Sequence, residues 1–280
     1  MLDPALLPFF FLLLLYVVTF TPHLGRAPEA WTSVVLKILP VWYLAVHVVF
    51  KNYGQKRNQN KTDGINEASS GKDHRNGSVA TDGIQQAKNP HLRKINTIGF
   101  GHDENDRASS NFSDRGSHLS DNELPSKIRF VIGLLISSIG DACLVYKALF
   151  KVGIVAFGVA QMMYLLALKH RYRRSLLAWV AVPLCITLNA ILAPGIDEVI
   201  LNILVFGYSL LIHSMLFYAI AGFESFPTRK SFSSMIGASL FIASDFLIAL
   251  NKWVTITPYP EASILMTYYT AQLLLTIGIC

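Results

Sequence analysis

Eight apolar runs, each near the ~20 residues a helix needs to cross a bilayer, constrain this 280-residue chain more than any other feature. They lie at 5 to 20, 34 to 50, 128 to 146, 152 to 168, 176 to 193, 199 to 221, 232 to 250 and 262 to 279. Apolar runs of this length are too long for the buried core helices of a soluble domain, so the solvent for most of the chain is expected to be lipid. Composition agrees: 15% of residues are charged and 52% are hydrophobic, where a soluble domain carries about 25% charged residues. The expected fold is all-α, a polytopic bundle of about eight transmembrane helices. The first run has the Leu12 to Leu15 core of a signal peptide. It lacks a preceding basic residue and a small-residue cleavage site, so it is read as a membrane helix.

The charges that do occur are unevenly placed. Residues 51–127 hold 12 of the 24 Lys+Arg and 10 of the 18 Asp+Glu. This stretch is rich in Asn, Ser, Gly, Asp and Lys and has no sustained apolar period, so burial cannot offset the entropy of ordering it. The expected organisation is therefore two transmembrane helices in 1–50, a disordered polar insertion over 51–127, and helices three to eight in 128–280. A formal net charge of +6 would suggest nucleic acid in a soluble protein, but in a membrane protein basic residues set orientation. No nucleic-acid motif is present. The connections on the side of the insertion carry Lys169, Arg171, Arg173, Arg174, Arg229 and Lys230. Those on the other side carry Arg26, Lys147, Lys151 and Lys252 beside the acidic pair Asp197 and Glu198. The positive-inside rule then puts both termini and the insertion in the cytosol. Three N-x-S/T sequons, at Asn60, Asn76 and Asn111, pull the other way, since only luminal sequons are glycosylated. Cys143, Cys185 and Cys280 each lie in or at the end of an apolar run, and read as packing residues rather than a disulfide framework or a metal cluster.

Outside the insertion there are eight acidic residues, and six sit at segment ends or in loops. The exceptions are Asp141 and Asp245, each well inside an apolar run, where a carboxylate is costly without a purpose or a partner. Each follows the start of its run by 13 positions, which at ~1.5 Å per residue places it ~20 Å in. Both runs cross in the same direction, so the carboxyls are expected at matching depth, facing each other if the helices are neighbours. Gly133, Ser137, Ser138 and Gly140 on one helix, and Gly237, Ala238 and Ser239 on the other, would allow close approach. The structural alternative pairs each Asp with a lysine: Lys37 lies near the same membrane face, and Lys252 follows Asp245 by seven residues on one helical face. Gln161 with Tyr164, and Tyr268 with Gln272, share helix faces and read about equally as interhelical hydrogen bonds or substrate contacts. His213 is expected to be a satisfied core residue.

Lys37 and Pro40, then Ser138, Gly140 and Asp141, then the run Phe241, Ser244, Asp245, Asn251, Lys252, Tyr259, Tyr268, Tyr269, Ala271 and Gln272 resemble the lysoplasmalogenase (YhhN-like) family of membrane proteins. The resemblance covers all of the chain but the insertion, and its C-terminal run is the most specific part. It implies hydrolysis of the vinyl ether bond of lysoplasmalogens to a fatty aldehyde and glycerophosphocholine or glycerophosphoethanolamine. It also implies an endoplasmic-reticulum membrane, a lysophospholipid substrate drawn from the bilayer, and no metal or organic cofactor. The long insertion departs from the family pattern, as does Gln161, which stands where relatives often carry His. A vinyl ether is cleaved by protonating the carbon beta to oxygen, which leaves an oxocarbenium ion for water to capture. Two carboxyls suit that chemistry, one as acid and one as anion, by the logic of glycoside hydrolysis. Asp141 and Asp245 are the catalytic candidates. Lys37, Gln161, Tyr164, Asn251, Lys252, Tyr268 and Gln272 are candidates for substrate binding, the two lysines against the lipid phosphate.

Two other readings use the same carboxyls. Ser138 to Asp141 approaches the G-x-G-D pattern of intramembrane aspartyl proteases, but Ser138 replaces the first Gly and Ser244 precedes the partner Asp. A proton-coupled transporter would exchange protons at both Asp and is expected to carry internal repeats, of which no convincing match is visible. A lipid-binding regulator that has lost activity is a third.

Overall fold

The computed structural model describes residues 4–20, 30–73, 125–169 and 175–280. Every long element among them is helical: α1 Leu7–Phe20, α2 Ala30–Asp73, α4 Phe150–Leu168, α5 Ala181–Leu192, α6 Val199–Ser225, α7 Arg229–Trp253 and α8 Pro260–Ile279, with α3 at Pro125–Val145. Seven helices are long and apolar enough to cross a membrane, and the N-terminal helix, Pro4–Val18, is apolar but shorter. The protein is an integral, multi-pass membrane helix bundle. Its outward faces carry exposed side chains such as Ile186 and Ile203, 64% and 66% accessible. That surface is stable only against lipid.

The chain falls into two compact units, Met1–Asn52 with Asn122–Cys280, and Tyr53–Asp121; the first carries the candidate site. The expectation of disorder from Lys51 needs correction over 51–73, because α2 continues to Asp73. A helix already nucleated in the membrane extends one residue at a time without a second nucleation cost, even through polar sequence. Asn60 falls on this extension, whereas Asn76 and Asn111 lie outside the described residues. Pro40 sits inside α2 without ending it, as membrane helices tolerate when neighbours satisfy the freed backbone groups.

Local chemistry fixes the ends of α7 and α8. Thr228 and Ser231 form a capping box, the Ser231 N–H donating to Thr228 Oγ1 (3.1 Å) and the Thr228 N–H to Ser231 Oγ (2.9 Å). Pro260 opens α8, at a position where its missing N–H costs nothing. The core is aromatic. Tyr164 lies 5.0 Å from Phe130 and 6.3 Å from Phe241, and Tyr268 lies 5.5 Å from Phe241, 6.2 Å from Phe157 and 5.2 Å from Tyr269. This edge-to-face lattice locks the hydroxyl-bearing rings that surround Asp141.

The glycines of α3 and α7 mark close contacts with other helices. A Cβ at Gly133 would strike the Tyr164 ring, and one at Gly140 the Phe157 ring, so this face of α3 packs on α4. On α7, a Cβ at Gly237 would come within 2.9 Å of the Leu275 backbone nitrogen, so this glycine admits α8. Small residues allow close approach, but they do not name the helix that approaches.

Candidate active site

Asp141 on α3 is 2% exposed, and its surroundings answer its charge. Lys37 Nζ of α2 lies 3.4 Å from Oδ1, and the Tyr268 hydroxyl of α8 donates to Oδ2 at 2.6 Å. A buried carboxylate needs both a counter-charge and hydrogen bonds, and here two other helices supply them. The network runs on: Gln272 Nε2 donates to the Tyr268 oxygen (3.2 Å), and the Tyr164 hydroxyl lies 3.1 Å from Gln272 Oε1 and 3.3 Å from Ser137 Oγ. Tyr269 donates to the Lys37 carbonyl (2.8 Å), which ties α8 to the turn of α2 that carries the lysine. Trp42 Nε1 donates to Ser138 Oγ at 2.9 Å, so α2 also meets α3 a few residues from Asp141.

Asp245 has different company. Its Oδ2 accepts a hydrogen bond from the Tyr208 hydroxyl of α6, and no lysine or arginine among the described residues pairs with it. Lys252, the partner suggested by helical spacing, instead holds its ammonium 4.1 Å from the centre of the Phe150 ring. Asp245 is half-buried and lines a small apolar pocket of about 70 Å³ with Leu144, Phe150, Phe157, Tyr208 and Ile248. Asp141 is sealed behind Lys37 and Tyr268, whereas Asp245 faces open space.

That pocket adjoins a cavity of about 560 Å³, with Leu144, Phe150 and Ile248 in both walls. The larger cavity is bounded by Tyr16 of α1, Lys37 of α2, Lys147 of the turn before α4, Asn251 and Lys252 of α7, and Glu261 of α8. Three lysines and one glutamate thus line it together with apolar side chains.

The structure joins Lys37, Asp141, Tyr164, Tyr268 and Gln272 in one network and sets Asn251 and Lys252 on the cavity wall. Both polar ends of Asn251 are engaged: Nδ2 donates to the Leu247 carbonyl (2.7 Å), and Oδ1 accepts from the Thr257 N–H (2.7 Å). Gln161 is fully buried, and its amide makes no hydrogen bond among the described residues. It does not join the Tyr164 network. His213 is only half satisfied: Nδ1 lies 2.8 Å from the Ser209 carbonyl, while Nε2 is buried without a partner among the described residues.

Sequence reasoning missed Tyr208, Ser137 as a bridging hydroxyl, Lys147 and Glu261. A tyrosine deep inside a membrane helix, far from the interfacial belt where tyrosines gather, was the available signal for Tyr208. Among the described residues no three His, Cys, Asp or Glu side chains form a metal-binding group.

A sequence profile of the YhhN family matches residues 117–279, more than half of the chain. The chain belongs to the YhhN family. The YhhN match carries both aspartates and every site residue named above except Tyr16 and, on α2, Lys37 and Trp42. Similar curated proteins include "Lysoplasmalogenase TMEM86A" of Bos taurus, 34% identical over 162 residues, which are 55% of this chain and 66% of that relative. The protein of the same name from Homo sapiens is 33% identical over the same length. "Lysoplasmalogenase TMEM86B" of Homo sapiens is 30% identical over 146 residues, 52% of this chain and 60% of the relative. The alignments thus span a little under two thirds of the length of the relatives. No solved structure matches the chain.

Proposed function

We propose that this YhhN-family protein is a lysoplasmalogenase, hydrolysing the vinyl ether of a 1-alkenyl lysophospholipid inside the membrane. The observation that carries the reading is the pairing of a carboxyl in an apolar pocket, Asp245, with an adjoining cavity lined by lysines. A single-tailed lipid with an anionic phosphate and an acid-labile bond between head and tail fits that arrangement. The names of the relatives support the same reaction.

In this mechanism Asp245 is the acid. It faces the pocket, has a neutral hydroxyl for a partner, and has one carboxyl oxygen not taken up by Tyr208. It protonates the vinyl carbon beta to oxygen, and the positive charge appears on the other vinyl carbon and the ether oxygen. Asp141, paired with Lys37, acts as the anion that stabilises that charge across a low-dielectric interior. Water adds to the cationic carbon and returns a proton to Asp245. The hemiacetal collapses to aldehyde and glycerol hydroxyl, its own hydroxyl proton passing to the leaving oxygen. Lys147 and Lys252 hold the phosphate, and the remaining binding candidates, Gln161, Tyr164, Asn251, Tyr268 and Gln272, shape and brace the pocket. The site lies toward the luminal face, with both termini and the insertion in the cytosol, in the membrane of the endoplasmic reticulum.

Membranes containing the protein are expected to release a fatty aldehyde from 1-alkenyl lysophosphatidylcholine or its ethanolamine analogue. The double variant Lys147→Ala/Lys252→Ala should raise KM about 10-fold, the loss of charge-assisted bonds to phosphate, with little change in kcat. An unaltered KM would remove the phosphate role from these lysines. Transport of the lipid unchanged, without aldehyde, would favour the carrier reading instead.

A further inference from the structure

A third hollow borders the Asp245 pocket. Between α4 and α6 runs an apolar groove of about 350 Å³, lined by Ile154, Gly158, Met162, Ile203, Gly207 and Leu211, with Tyr208 at its inner edge. Ile154 and Tyr208 also line the Asp245 pocket, so the groove and the pocket share a wall. Its opposite side faces lipid, where Val155, Val159, Met162 and Ile203 are exposed. The three spaces are therefore neighbours in turn: the first is lined by three lysines and Glu261, the second by Asp245 and Tyr208, and the third by apolar side chains apart from Tyr208.

We infer that the groove between α4 and α6 seats the hydrocarbon tail of the substrate, which enters sideways from the bilayer past Tyr208. The inference rests on the proposed lysolipid reaction for the identity of the tail. The charge gradient sets the direction: a head group held at Lys147 and Lys252 leaves the tail no polar surface to cross once it passes Asp245. From Ile154 to Met162 the groove follows α4 for roughly 12 Å at 1.5 Å per residue. That carries the tail toward the bilayer midplane, where its end rejoins the other chains. Two glycines keep the channel open. A Cβ at Gly207 would meet nothing within 4 Å, and one at Gly158 would make only ordinary contact with Leu211 at 3.7 Å. A side chain added at Gly207 thus starts into open space beside the groove.

The test compares chain lengths in the full-length protein. Gly207→Phe should lower kcat/KM for a hexadecenyl lysoplasmalogen about 10-fold while leaving an octenyl analogue nearly unchanged, the scale on which an apolar pocket discriminates chains. Ile186→Phe, on a lipid face of α5 remote from the groove, should alter neither. Equal loss on both substrates, or no loss on either, would overturn the seat. An independent arm needs no turnover: a non-hydrolysable 1-O-alkyl lysophosphatidylcholine with a diazirine at the chain end is photo-crosslinked and the adducts are mapped. Labelling of Met162, Ile203 or Leu211, reduced in Gly207→Phe, supports the inference. Labelling near Tyr16 and Met266 on the other side of the large cavity, or no saturable labelling, overturns it. Saturable labelling of the groove in a protein that releases no aldehyde would uphold the seat and overturn the reaction.

Discussion

Asp245→Asn is expected to lower the rate of aldehyde release by about 10²- to 10⁴-fold, the usual contribution of a positioned acid, while the protein still inserts and folds. The substitution is nearly isosteric, and the new amide oxygen can still accept the Tyr208 hydroxyl hydrogen bond, so the pocket keeps its shape. It loses only the proton. Binding of a non-hydrolysable ether analogue should therefore survive, and the defect should fall on kcat rather than KM. Tyr208→Phe would act more mildly, because it removes the group that orients the acid and not the acid itself. A near wild-type rate in Asp245→Asn would end the acid mechanism, whatever became of the rest of the site.

The second large effect is on stability. Lys37→Met is expected to destabilise the bundle by about 3–5 kcal/mol, because it strands the Asp141 carboxylate in the interior with the Tyr268 hydroxyl as its main partner. Methionine fills much of the lysine volume, so the loss reports charge and not a cavity. Combining Lys37→Met with Asp141→Asn should recover most of the melting temperature in detergent, since the two substitutions remove both halves of one pair. Activity should not return with it, because in the proposed mechanism the negative charge of Asp141 acts on the cationic intermediate through the protein interior. Additive destabilisation in the double variant would mean that the ion pair contributes nothing to folding. Recovery of activity would remove Asp141 from the reaction.

Much of this was legible in the residues before any coordinates. Asp141 and Asp245 announce themselves because carboxylates are expensive in apolar helices, and the i, i+4 pairing of Tyr268 with Gln272 is a property of helix geometry that packing does not alter. Lys37 was visible as a partner because a buried acid seeks the nearest cation. The assembly of helices was not legible. Glycines 133, 140 and 237 mark close contacts, yet they turn toward α4 and α8, because a small side chain allows an approach without selecting the partner. Tyr208 was hidden by its own chemistry: its ring suits the apolar run it sits in, and only the facing carboxyl on α7 makes its hydroxyl matter. Lys147 and Glu261 read as loop charges, and it is the folding back of the turn before α4 and the start of α8 that brings them to one cavity. The helical extension of α2 through Asp73 escaped composition-based reading, because polar residues that cannot nucleate a helix can still prolong one.

The most direct measurement is hydrolysis of a 1-alkenyl lysophospholipid by the purified protein in deuterium oxide, with the aldehyde trapped as it forms and weighed by mass spectrometry. In the proposed mechanism Asp245, whose proton exchanges with solvent, places one deuterium on the carbon next to the aldehyde group, and Asp245→Asn should form the product about 10²- to 10⁴-fold more slowly. Aldehyde without that deuterium, undiminished product from the variant, or no aldehyde from the wild-type protein would contradict the account.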